Sequence, residues 1–148
     1  ETIKASMHKM EADIINIHKS LGENSSVESL AASMYDYYVE NKDDLLTGFK
    51  LFLSSGDADK KEFDDVGNEI GPPGGHVLFE VFKNQIPNAK EEDIIWAVRT
   101  IFTQVIHKAV IVCNHCEMVT KMNIGPDGFK NEILRLVKIV VQEVKQSS

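Results

Sequence analysis

Apolar residues recur along most of this chain at alternating steps of three and four, the spacing of one face of an α-helix. The first stripe runs over residues 3–21, and Gly22 follows it where glycine commonly ends a helix. A second begins after Ser25, with Glu28 as its capping-box partner, and a last one follows Asp127, which we expect to cap its helix. No segment shows sustained strand alternation, so the pattern predicts an all-α protein.

Two segments, 45–53 and 77–86, carry bulky apolar residues around their whole circumference. A buried strand is the other interpretation of residues 50–54, although Asp43 and Gly56 supply the start and stop of a helix. Helices of this kind need burial on several sides. We therefore expect both segments at the centre of the protein, joined through a Gly-Pro-Pro-Gly-Gly stretch that we interpret as a plain connector, with a hinge as the alternative.

The longest apolar stripe predicts a helix over residues 89–121, roughly 40 Å long at 1.5 Å per residue. A chain of 148 residues suits one domain with a substantial core. We predict a single-domain bundle, 1–148, of five to seven helices around the 89–121 helix.

The net charge of −7 disfavours nucleic acid and anionic membrane surfaces as partners. We see no apolar run near the roughly 18 residues of a membrane span and expect none. Residues Asn24–Ser26 form a glycosylation acceptor pattern, and the chain begins at Glu1 rather than methionine. These two features lead us to expect a secreted protein, with a cytoplasmic one as the alternative.

Two cysteines and two histidines cluster in residues 107–116 and raise the question of a metal site. On one helix, Cys113 and Cys116 flank the apolar stripe, while His107 and His115 point elsewhere, so too few ligands converge for zinc. Glu117 stands where a haem-attachment motif needs histidine. We interpret the two cysteines as core residues and predict no metal site.

Other catalytic and cofactor motifs are missing as well. The acidic stretches 57–68 and 123–134 lack the glycine or the ligands that a calcium loop requires. The connector at 71–75 lacks the Gly-Lys-Ser/Thr end of a phosphate loop, and no Gly-x-Ser-x-Gly or His-Glu-x-x-His motif occurs. We therefore expect neither an enzyme nor a cofactor.

Aromatic residues of the apolar segments and the long helix provide the first function hypothesis. They either pack as a dense core or line a cavity, and a cavity predicts an extracellular, non-catalytic binding protein that holds a lipid-like apolar small molecule between the central helices. The candidate ligand-binding residues are Phe49, Phe52, Phe79, Phe82 and Trp96.

A tyrosine cluster on the second helix provides the alternative, a secreted, cytokine-like or effector-like protein-interaction module without a small-molecule ligand. Because Tyr35, Tyr37 and Tyr38 fall within four positions, we expect at least one ring to be exposed. Exposed tyrosine is enriched in interface hot spots. The predicted contact residues are Tyr35, Tyr37 and, in the acidic patch 57–65, Asp64.

Overall fold

A computed structural model describes residues 2–53, 61, 65, 73–113 and 126–148. Six α-helices occur in these ranges, with a short 3₁₀ turn at Gly22–Asn24 and no strand. The all-α prediction of five to seven helices is confirmed. The helices are α1 (Thr2–Leu21), α2 (Val27–Glu40), α3 (Lys42–Leu53), α4 (Gly75–Gln85), α5 (Glu91–Cys113) and α6 (Pro126–Ser147).

The ends of the first two helices follow the sequence signals with a shift of one residue. Gly22 follows α1 with a φ of 55°, as a glycine that ends a helix commonly does. The cap of α2 is Ser26 rather than the predicted Ser25, because Ser26 has the extended backbone of a cap residue and accepts the Ser29 backbone N–H. The Ser26 backbone N–H in turn donates to the Ser29 hydroxyl, so the capping-box partner is Ser29 and not the predicted Glu28.

The later helix ends differ from prediction in detail. Pro126 occupies the first position of α6 and Asp127 lies in its first turn, so Asp127 is not the cap residue. Its carboxylate still favours the positive end of the helix dipole. Helix α5 begins at Glu91, two residues later than predicted. The predicted extension over 114–121 lies outside the described residues.

The centre of the bundle is shared between two helices rather than formed by the long helix alone. Helix α5 packs against α2, α3, α4 and α6, whereas α2 contacts all five other helices. Lys108 on α5 donates to Glu132 on α6 at 2.8 Å, and Lys130 on α6 donates to Asp36 on α2 at 2.7 Å. Residues buried completely include Ile14, Leu30, Met34, Leu78, Phe82, Val105 and Ile133.

Helix α4 is not apolar around its whole circumference, contrary to prediction. Val77, Leu78 and Phe82 face the core, but Glu80 and Lys83 are exposed on the opposite face. The error came from the density of large apolar residues, which hid a two-sided helix. In the other segment Leu45 is buried and Leu46 half-buried. The side chains of residues 49–53 lie outside the description.

Helix α5 also differs from the expectation that no segment approaches a membrane span. Glu91–Cys113 has a stretch of 18 residues with a mean hydropathy of 1.3, which is long and apolar enough to cross a membrane by length and composition. The central helix of a bundle has the same properties, and α5 contacts four other helices here.

Candidate functional site

A buried carboxylate joins α1 to the start of α4. Glu11 is only 7% exposed, and its Oε2 accepts the Gly74 backbone N–H at 2.6 Å. Its Oε1 lies 2.7 Å from Nδ1 of His76, at ion-pair distance but without the alignment of a hydrogen bond. The N-terminal end of a helix favours negative charge. The Glu11 side chain therefore holds the α4 N-terminus through Oε2, while its Oε1 lies beside the His76 imidazole.

Close packing at Gly74 reinforces this junction. Gly74 has a φ of 80°, and a Cβ placed there would lie 2.8 Å from Cγ2 of Ile14 and 3.3 Å from Cε of Met34. Pro73, Gly74 and Gly75 are all buried. The described end of the Gly/Pro connector is therefore packed against α1 and α2, which favours the plain connector over the alternative of a hinge.

The outward face of α4 forms a groove of about 440 Å³ that opens to solvent. The described lining residues recur every three or four positions along the helix, so they share one face. They are His76, Phe79, Glu80, Lys83 and Asn84. Phe79 is half-buried and gives the groove an apolar surface, while the other four side chains surround it with polar groups. All of these described lining residues belong to α4, so the described part of the groove has one wall and is open to solvent.

The predicted ligand-binding residues do not converge on one cavity where the structure describes them. Phe79 lines the groove, whereas Phe82 is completely buried in the core. Trp96 is 40% exposed and lines a separate depression between α5 and α6. The side chains of Phe49 and Phe52 lie outside the description, so their predicted role is neither supported nor weakened.

All three tyrosines of α2 are buried, so the expectation of an exposed ring is wrong. Helix α2 contacts all five other helices, so side chains on several of its faces can be buried at once. The Tyr37 hydroxyl donates to Asp13 at 2.7 Å, and burial raises the pKa of Tyr35 to about 12. Tyr35 and Tyr37 therefore offer a partner little surface, and Asp64 lies outside the described residues.

The Tyr38 hydroxyl is a buried polar group without a hydrogen-bond partner among the described residues. Its ring meets Tyr37 edge-to-face, with centroids 5.5 Å apart. Burial raises the pKa of Tyr38, and the neighbouring Tyr37 and the Glu11 carboxylate raise it further. The phenol therefore stays protonated at neutral pH.

No group of three or more histidine, cysteine or acidic side chains in the described ranges could hold a metal ion. Cys113 is a free, buried cysteine, and burial raises the pKa of its thiol. A raised pKa makes a thiolate, the form that binds metals, less available. Cys116 and His115 lie outside the description, so the absence of a metal site there stays a prediction.

Sequence reasoning missed the junction of Glu11 and His76, although one signal was available. Glu11 lies four residues after Met7 and three before Ile14, which puts a carboxylate on the inward stripe of α1. A charge at such a position needs a partner. Its partners are 63 and 65 positions further along the chain, and the sequence does not identify them.

Comparison with known proteins adds no further assignment. No protein-family model, no curated protein and no solved structure matches the chain.

Proposed function

We propose that this protein is a non-catalytic, extracellular binding protein that holds a lipid-like small molecule in the groove on the outward face of α4. The observation that carries the proposal is the groove of about 440 Å³ around Phe79, one of the residues expected to bind an apolar ligand. The proposed site moves from between the central helices to this outer face.

The groove favours an amphipathic ligand rather than a purely apolar one. The Phe79 ring gives an apolar body a surface to cover, and the Lys83 ammonium and Asn84 amide offer hydrogen-bond donors to a polar head. A carboxylate head could accept from both donors, with charge assistance from Lys83. A fatty acid or a similar amphiphile is therefore the ligand class that we propose.

Native mass spectrometry of protein from its natural source, with displacement of a fluorescent fatty acid, tests the proposal. Complete burial of a phenylalanine side chain contributes about 1.5–3 kcal/mol, and Phe79 is already half-buried, so Phe79→Ala should weaken probe binding by roughly threefold to tenfold. Trp96→Ala is the matched control, since it truncates an aromatic residue outside the groove. Absence of both bound lipid and displaceable probe, or equal losses in the two variants, would contradict the proposal.

Head-group recognition needs its own comparison. Lys83→Gln should weaken binding of the fatty acid but leave binding of the fatty alcohol of equal chain length unchanged, because only the acid carries charge. Equal effects on binding of the acid and the alcohol would show that Lys83 does not contact the head group. The Phe79 contact is tested separately by Phe79→Ala.

The extracellular location is testable at Asn24. Its side chain is exposed at the end of the 3₁₀ turn, so an attached glycan would meet no packed neighbour. Secreted expression in a eukaryotic cell should give a mass shift that a glycosidase removes and that Asn24→Gln abolishes. If the chain stays inside the cell when expressed from its natural gene, the cytoplasmic alternative holds.

A protein-interaction role is the second candidate, and two exposed apolar side chains favour it. Trp96 on α5 and Ile139 on α6 are 40% and 60% exposed. Exposed tryptophan is strongly enriched in interface hot spots. This candidate therefore moves from the tyrosines of α2 to the surface shared by α5 and α6.

A further inference from the structure

A small depression lies between the first turns of α5 and the last turns of α6. It has a volume of about 150 Å³, and the described residues around it are Asp93, Trp96, Glu143, Val144 and Ser147. This volume is below the range of sites for drug-sized molecules and suits a single side chain. We refer to these five residues as the Trp96 depression.

Two carboxylates from different helices face the Trp96 depression without a cation to pair with. No described side chain forms an ion pair or a hydrogen bond with the carboxylate of Asp93 or Glu143. Asp93 is favoured by the dipole at the start of α5, but Glu143 lies near the negative end of α6, where a carboxylate is disfavoured. The position of Glu143 is therefore one that a positively charged partner would improve.

The remaining walls of the depression fit the rest of a basic side chain. An indole is the best of the aromatic faces for a cation. Val144 is buried beneath the depression, so the aliphatic stem of a basic side chain would lie along the exposed Trp96 ring, because long basic side chains bury their methylenes along apolar surface. The Ser147 hydroxyl donates to the Glu143 backbone carbonyl, so its oxygen remains able to accept.

An exposed apolar residue adjoins the depression, which favours a protein segment over a free amine as its occupant. Ile139 lies one helical turn before Glu143 on α6 and is therefore its neighbour on the helix surface. Since Ile139 is 60% exposed, a partner that covers both features needs a basic and an apolar side chain about one turn apart.

We propose that the Trp96 depression docks a basic amphipathic segment of a partner protein, with one lysine or arginine side chain between Trp96 and the two carboxylates and an apolar side chain against Ile139. The inference rests on the protein-interaction candidate and is independent of ligand binding in the α4 groove.

Trp96 is the one tryptophan of the chain, so its fluorescence reports directly on the site. The probe is a synthetic helical peptide of leucine and arginine, compared with the same peptide carrying glutamine for arginine. We expect the arginine peptide to shift or quench Trp96 emission and to bind at least tenfold more tightly than the glutamine peptide. Equal binding of the two peptides, or an unchanged emission, would overturn the proposal.

Protein variants separate the site from general attraction to an acidic protein. Glu143→Gln should weaken the arginine peptide severalfold, whereas Glu40→Gln, which removes the same charge from an exposed position at the end of α2, should leave its affinity unchanged. Equal losses in the two variants would mean attraction by net charge only and would refute the site.

Two further experiments test whether the Trp96 depression binds a protein segment and whether that binding is independent of the α4 groove. Ile139→Ala should weaken the peptide but not free arginine, and free arginine that binds as tightly as the peptide would exclude a protein segment. Phe79→Ala should bind the peptide normally while losing the fatty acid probe, so failure of either proposal is visible without the other.

Discussion

Three glycines of this chain differ in backbone conformation and in surrounding space, which makes Gly74→Ala a quantitative test of the α1–α4 junction. Gly74 combines a φ of 80° with a Cβ position only 2.8 Å from Ile14. Gly22 has a φ of 55° but no atom within 4 Å of its Cβ position. Gly48 lies inside α3 with open space around it and no left-handed backbone.

The magnitudes follow from adding the two effects. A left-handed conformation costs a non-glycine residue about 1–2 kcal/mol, and overpacking a core costs about 1–3 kcal/mol. Gly22→Ala should therefore lower the free energy of unfolding by about 1–2 kcal/mol, and Gly74→Ala by about 2–5 kcal/mol. Gly48→Ala should raise it by about 0.5–1 kcal/mol, because alanine is the better helix former.

Urea denaturation followed by circular dichroism measures these changes, with the slope of each transition checking that unfolding stays two-state. Gly74→Ala in an Ile14→Ala background isolates the steric part, since both Ile14 atoms closest to the added methyl are then absent. The close packing of the junction is refuted if Gly74→Ala lowers the free energy of unfolding no more than Gly22→Ala does. It is also refuted if Gly74→Ala is as destabilising in the Ile14→Ala background as in wild type.

Three other predictions concern buried polar groups. Tyr37→Phe should lower the free energy of unfolding by about 0.5–1.5 kcal/mol, because the hydrogen bond to Asp13 is lost. Tyr38→Phe should be neutral or stabilising, because the Tyr38 hydroxyl has no described partner. Equal losses of the two variants in urea melts would contradict this contrast. Glu11→Ala should cost about 1.5–3 kcal/mol, and wild-type stability in the same assay would exclude the capping role. The fold raises the pKa values of Tyr37 and Tyr38, so their contribution to stability is complete below about pH 10 and is lost as the pH rises through the folded pKa. Urea melts at increasing alkaline pH should therefore show a smaller loss of stability for the double phenylalanine variant than for wild type. Equal losses would refute this pH dependence.

The fold was predictable because each helix repeats its own apolar stripe and is bounded by local signals. Ile94, Ala97 and Ile101 are buried on α5 at the spacing that predicted them. The same spacing places Trp96 away from that stripe, so its exposure could have been read from the sequence. Its assignment to an internal cavity followed residue type instead of angle.

The sites were less predictable because they depend on how helices meet. Burial of the three tyrosines requires that α2 be surrounded by the other five helices, and no local pattern carries that information. Likewise, Asp93 and Glu143 are 50 positions apart in the chain, and they lie at the same depression only because α5 and α6 pack antiparallel. Local periodicity fixes the face of a residue, but only packing selects its neighbours.

The separation of 63 positions between Glu11 and Gly74 has a consequence for the order of folding. Closing a chain segment of this length costs entropy before any contact is gained, whereas neighbouring helices such as α2 and α3 meet through a single residue. We expect the carboxylate to reach the α4 N-terminus after the transition state. Removing it should then accelerate unfolding and leave the refolding rate almost unchanged. The lifetime of the native state, more than the speed of its formation, would then depend on this one buried charge.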